Sequence, residues 1–431
     1  MIQIQARLDE LKALGLQRRT RLVSGPQGPH VVLDGKPVLL LCSDNCLGLA
    51  DHPRVREAAA DAAVRWGVGA GAPRLASGTM TIHRRAEESL AEFVGRETAL
   101  LLGSREAATA GVIAALARPG DTIFSDELNH PALVDGCRLS RADVFVYDHH
   151  DVEHLTWGIE QAEGRAALIV TESVFSLDGD LAPLREIATL AQRVGIRTVV
   201  DESSAFGAIG PDGRGALAAG GLEDHVDVIT GTLGSALGAY GAFVACDRDM
   251  GRYLVSAARA FAASTALPPP AVAGALAALE LLRERPERVR RLAVNASALR
   301  SGLEREGFDT GASRSHIMAP PVHDPRLAAA ICEQALRHGL FIDSLLPPLV
   351  ANPVARLRLT AMATHHPGEL DDAARRLGSV ARALGHQPQA AADAPADWHR
   401  AGAEQQHGAS RAKAAAGVFD HEAPKRTRRA A

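Results

Sequence analysis

Short apolar runs bounded by turn residues alternate with helix-period stretches between about residues 51 and 283. The runs ALLL (99–102), TIF (122–124), VFVY (144–147), ALIVT (167–171), RTVV (197–200), VDVIT (226–230) and GAFVA (241–245) are mostly continuous rather than alternating in hydrophobicity. Strands buried on both faces read this way, so the pattern predicts a mostly parallel sheet with helices on either side. Ligands in such sheets lie beyond the carboxyl ends of the strands. Upstream, Ile4, Leu8, Leu11 and Leu14 stand at helical spacing and predict an amphipathic helix over residues 4–16 that lies on another surface. Arg18, Arg19 and Arg21 follow it.

Pro268, Pro269 and Pro270 break the pattern before an Ala- and Leu-rich helix over 271–283, and helices over 288–306, 325–339 and 368–384 predict a smaller C-terminal α+β domain. The chain then divides into an N-terminal helix and arm (1–50), a large domain (51–285), a small domain (286–386) and a tail (387–431). The tail is rich in Ala, Gln, His and Arg with few large apolar residues, a composition that predicts disorder.

Composition narrows the class of partner. A net charge of −4 over 431 residues and a pI near 6.5 make no electrostatic case for nucleic acid or an anionic membrane, leaving small molecules or proteins. No run of about 18 apolar residues predicts a membrane span, and the charged N-terminus lacks the apolar core of a secretion signal, so the expected location is cytoplasmic. Five scattered cysteines without metal-ligand spacing predict reduced thiols, with neither a disulfide framework nor a cysteine zinc site. Of 47 basic side chains, only Lys12, Lys36, Lys413 and Lys425 are lysine, so the whole span between Lys36 and Lys413 is arginine-only.

That gap matters because of the motifs inside it. SDNCLGL (43–49), GVGAGAPR (67–74), SGT (77–79) with His83, NHPALVD (129–135), ESVFSLDGD (172–180), DESSAFG (201–207) running into GRG (213–215), TLGSALG (232–238), STALP (264–268) and RLR (356–358) follow in order. Together they resemble the α-oxoamine synthases, over roughly residues 39–384. The resemblance implies a fold-type I pyridoxal-phosphate (PLP) transferase of the aspartate aminotransferase-like class. It also implies a dimer with sites at the subunit interface, and a reaction condensing an amino acid with an acyl-CoA with loss of carbon dioxide. It implies cofactor-binding positions at Ser104, Arg105, His130, Asp201, Thr232 and Thr265. Within these, His130 stacks on the cofactor ring, Asp201 pairs with the ring nitrogen, and Thr265 reaches the phosphate across the interface. Arg358 holds the substrate carboxylate. The residues by themselves also allow Asp201 to cap a helix and His130 to be an ordinary loop histidine.

The chain departs from the family pattern where the chemistry is done. Ser235 stands at the family's lysine position, and a hydroxyl forms no imine and shuttles no amine proton. Arginine elsewhere cannot substitute, since guanidinium stays charged. Ser204 stands at the family's histidine position, and Cys46 at that of an aromatic. Ser104-Arg105-Glu106 replaces a Ser-Gly-aromatic turn that cradles the phosphate, losing a glycine and bringing a negative charge toward a dianion. Several losses together imply a relaxed site rather than a single disabling substitution.

Three readings follow. The chain is a non-catalytic or regulatory subunit paired with a lysine-bearing paralogue, as is the lysine-less subunit of eukaryotic serine palmitoyltransferase, whose site pattern it resembles. Alternatively it is an enzyme in its own right, binding PLP noncovalently or transferring acyl groups without it; Cys46 and Cys246 lack any visible base partner for that role. The third reading is a homodimeric ligand-binding protein.

Overall fold

The computed structural model describes residues 3–162, 166–346 and 355–386; the tail assigned to 387–431 lies outside them. Three strands open the chain, β1 (Val23–Ser24), β2 (His30–Leu33) and β3 (Lys36–Leu40). The large domain contributes β4 (Thr98–Leu102), β5 (Thr122–Asp126), β6 (Asp143–Tyr147), β7 (Ala166–Glu172), β8 (Arg197–Asp201), β9 (Val228–Thr232) and β10 (Ala242–Cys246). They form one sheet in the order β4-β10-β9-β8-β7-β5-β6. The pairs from β9 to β6 are parallel, as expected from their continuous apolar runs, whereas β10 runs antiparallel to both β9 and β4.

The C-terminal region adds β11 (Ile317–Met318), β12 (Leu340–Phe341), β13 (Asp343–Leu345) and β14 (Arg356–Thr360). Strand β3 pairs with β12 in parallel, so the N-terminal arm is built into the C-terminal region. The largest apolar cluster runs without a break from Leu39 through Phe206 and Leu282 to Ala381, so arm, sheet and C-terminal helices share one core. The first helix, Ile4–Ala13, buries none of its residues and leaves the face bearing Ile4 and Leu8 exposed. No helix among the described residues is long and apolar enough to cross a membrane.

His365 ties the C-terminal region to β3: its Nε2 donates to Leu40 O at 2.9 Å and its Nδ1 accepts the Met362 N–H at 3.0 Å. Burial holds its pKa down at about 4 from an ordinary 6.5, with the Leu40 bond opposing. The unfolded chain therefore takes up the proton first as pH falls. The stability this group contributes is complete above pH 6.5 and lost as pH falls toward 4, up to about 3 kcal/mol. Buried His130 and His316, also pushed down to about 4, act in the same window. Denaturant unfolding at pH 7, 5.5 and 4.5 is expected to show a midpoint falling steadily with acid, and a flat profile would contradict this.

Candidate active site

At the carboxyl end of the sheet the strand register sets two acids side by side. Glu172 closes β7, Asp201 closes β8, and the two are Cα partners on neighbouring parallel strands. Both side chains are fully buried. Adjacent carboxylates in so dry a place repel each other and lose hydration, so they require a proton or a cation between them. Arg105 is that cation. Its Nε donates to Asp201 Oδ2 at 2.7 Å and its Nη2 to Glu172 Oε2 at 2.6 Å. Burial opposes charge on Arg105, but the two carboxylates outweigh it and raise the pKa. Burial also pushes Glu172 up, against the pull of Arg105.

The surrounding backbone fixes this triad. Asp201 Oδ1 accepts the Ser203 N–H at 2.8 Å. Glu172 accepts N–H bonds from His130 at 2.7 Å and Ser176 at 3.2 Å, while Asn129 Oδ1 accepts the Glu172 N–H at 3.1 Å. His130 opens the helix Pro131–Ser140, its Nδ1 accepting the Ala132 N–H at 3.1 Å. Burial first, then the charge of Arg105, push its pKa down to about 4, so the ring is neutral near pH 7.

Arg105, Asp201 and His130 therefore converge, as the sequence implied, but the guanidinium points to the two carboxylates and not out over the turn that carries it. Glu172, the third member of the triad, ends an apolar strand inside one of the motifs, and only the β7–β8 register reveals its part in the site. Arg358 stands one link away: its Nε donates to Ser176 O at 3.4 Å and its Nη2 lies 3.6 Å from the exposed acid Asp44.

Two other hydroxyls are taken up locally. Ser104 Oγ caps the helix Arg105–Leu116 by accepting the Ala107 N–H at 3.1 Å, and Thr232 Oγ1 accepts the Gly234 N–H at 3.1 Å. Ser204 and Ser235 sit three residues beyond the ends of β8 and β9, on loops that touch. Gly207 has φ +76°, and a Cβ there would stand 2.1 Å from that of Ala236, so only glycine lets the loops meet. Thr265 is exposed, in a β-bridge with Pro73.

Other motif residues hold the fold. Buried Arg74 makes a bidentate pair with Glu87 at 2.7 and 3.0 Å, Thr79 accepts from Arg74 Nε at 3.0 Å, and His83 Nε2 lies 2.8 Å from Leu267 O. Burial drives the thiols of Cys46 and Cys246 up to about 12, leaving them inert as nucleophiles near neutral pH.

Residues 36–377 match the aminotransferase class I and II family. The chain is 44% identical over 381 residues to the 8-amino-7-oxononanoate synthase of Citrifermentans bemidjiense, covering 88% of this chain and 98% of that one. It is 46% identical over 378 residues to that of Anaeromyxobacter sp. (strain K), covering 88% and 95%. Among solved structures it is similar to serine palmitoyltransferase from S. paucimobilis, a lysine-to-alanine variant with a bound PLP–myriocin aldimine. That match has 30% identity and a TM-score of 0.84, covering 89% of this chain and 97% of that one. The chain belongs to the aminotransferase class I and II family, among its α-oxoamine synthases, and has the fold-type I architecture of PLP-dependent enzymes.

PLP is the cofactor expected of a member of this family. The residues of this chain do not fit it in the family's manner. Asp201, the carboxylate that the family pairs with a protonated ring nitrogen, already accepts from Arg105 Nε at 2.7 Å and from the Ser203 N–H at 2.8 Å, so a cation stands on it. Glu106 stands exposed in the first turn of the helix beginning at Arg105, where a phosphate dianion would approach. No lysine lies between Lys36 and Lys413 to form a covalent link.

Proposed function

We propose that this chain is a catalytically silent α-oxoamine synthase that serves as partner subunit to a lysine-bearing synthase, which performs the decarboxylative condensation of an amino acid with an acyl-CoA. One observation carries the reading. The guanidinium of Arg105 bridges Asp201 and Glu172 as a permanent counter-charge where the family places a cofactor cation, and the chain offers no amine there to anchor one.

The outer surface supports a partner role. Val64 and Val68 are 90% and 81% exposed beside the glycine-rich segment, Leu75 is exposed at its end, and Thr265 bridges to Pro73 within it. Exposed apolar residues gathered around one segment suit a protein contact, and a silent subunit can still present Thr265 to the site of its partner.

Co-expression with a lysine-bearing paralogue from the same genome tests this. The expected result is a 1:1 complex on size-exclusion chromatography that carries one PLP per pair and releases CoA from an acyl-CoA when given an amino acid. Exclusive self-association of each chain, with the paralogue equally active alone, would overturn the proposal.

A further inference from the structure

A second polar cluster lies at the carboxyl ends of β5 and β6, outside the triad. His149 Nδ1 is 2.8 Å from Asp126 Oδ1, and its Nε2 is 2.9 Å from Asp180 Oδ2. The His150 ring stacks on that of His149 at 3.7 Å, and its Nε2 lies 3.6 Å from the same Asp180 oxygen. Phe175 packs edge-on against His149 at 4.4 Å and fixes the pair. His150 is held at φ +63°, a conformation uncommon for histidine, by donating its N–H to Asp126 Oδ2 at 3.2 Å.

Two features of the cluster are unexplained by internal hydrogen bonding. Asp180 is 5% exposed, yet its Oδ1 has no hydrogen-bond partner, and neither does the buried Nε2 of His150. Leaving a buried polar atom unpaired costs about 1–3 kcal/mol. A nitrogen from each histidine and an Asp180 oxygen lie within 4.8 Å of one another. Ligand atoms on a tetrahedral zinc stand about 3.3 Å apart, so the ion takes the place of the proton between His149 Nε2 and Asp180 Oδ2, which is released to solvent, and a rotation of the partly exposed His150 ring brings in the third ligand. Asp126 on the far nitrogen of His149 completes a carboxylate–histidine–metal arrangement, which fixes which nitrogen faces the ion.

We propose that His149, His150 and Asp180 bind a divalent transition-metal ion of the zinc class, oriented by Asp126. Two imidazoles and a carboxylate select such an ion over magnesium or calcium, and three protein ligands leave a fourth position for water. Asp180 also lines a cavity of about 50 Å³ shared with Asp178 and Arg356, on the side away from the two histidines, which do not line it. Because Arg356 lies on β14 and contacts Asp178, the ion would sit where the large sheet meets the C-terminal region.

The test uses the full chain, free of any affinity tag, stripped with EDTA and titrated with zinc chloride by calorimetry and with cobalt(II) by visible absorption. We expect one tight ion per chain and a cobalt spectrum of nitrogen and oxygen ligands without a thiolate band. His150→Asn suits the left-handed backbone, so it should keep the fold by circular dichroism while weakening binding at least tenfold. Asp126→Asn should weaken it about 10- to 100-fold through His149. The proposal fails if the intact chain binds no zinc, or if His150→Asn binds as tightly as the parent, since the ion would then sit on other histidines such as His399, His407 and His421.

Discussion

Replacing Arg105 with methionine is expected to destabilise the protein by about 3–5 kcal/mol at pH 7, because it leaves Glu172 and Asp201 buried, adjacent and without a counter-charge. Denaturant unfolding at fixed protein concentration reads the loss. Burial already raises Glu172, and without the guanidinium its pKa should rise further, so the deficit should shrink as pH falls and the carboxyl takes a proton. Adding Glu172→Gln should recover most of the loss, since one buried carboxylate with the Ser203 N–H is tolerable where two are not. If Arg105 served only as a surface anion ligand, the single substitution would change stability by less than about 1 kcal/mol and show no pH dependence.

The second large effect is an absence of rescue. Ser235→Lys restores the missing amine and nothing else. Ser204 still stands where the family has histidine, and Arg105 still holds Asp201. A positioned acid–base group contributes about 10²–10⁴ in rate, so the single revertant is expected to turn over at least about a hundredfold more slowly than an intact synthase. Groups acting as one catalytic unit are strongly non-additive, so Ser235→Lys with Arg105→Gly and Ser204→His should exceed the sum of the separate changes. Release of free CoA from a panel of acyl-CoAs and amino acids measures this. Robust turnover by Ser235→Lys alone would mean that only the amine had been lost.

Much of this architecture was legible from residue pattern, and the misses have physical causes. Each apolar run became a strand, but the 226–230 run is placed two residues early. Val226 O is tied to Arg96 at 2.9 Å, and the Asp227 side chain accepts the Thr198 N–H at 2.8 Å, so the β9 ladder begins at Val228. The antiparallel course of β10 was invisible because a strand buried on both faces has the same composition in either direction. Helix Pro269–Glu284 starts inside the proline run, where missing N–H groups do no harm in a first turn. The short strands of the arm carried too few residues to show a period.

The candidate site divides in the same way. Asp201, His130, Ser235 and Ser204 were singled out by the resemblance of their motifs; in the structure Asp201 closes β8 and the two serines stand three residues beyond β8 and β9. The destination of Arg105 depends on Glu172 and Asp201, 67 and 96 residues away, and on a register that only the folded sheet defines. The His149–His150 pair is visible as a dipeptide beyond an apolar strand, but its meeting with Asp180 is a tertiary fact.

Arg105 and the missing amine together should leave no place for PLP in this chain alone. Incubating the purified full-length chain with PLP, removing free cofactor by dialysis, and then measuring bound PLP by absorbance and intact mass tests it directly. The expected result is no visible imine band and no retained equivalent, before or after borohydride reduction, while Arg105→Gly gains noncovalent affinity. One PLP retained per chain with Arg105 intact would contradict it.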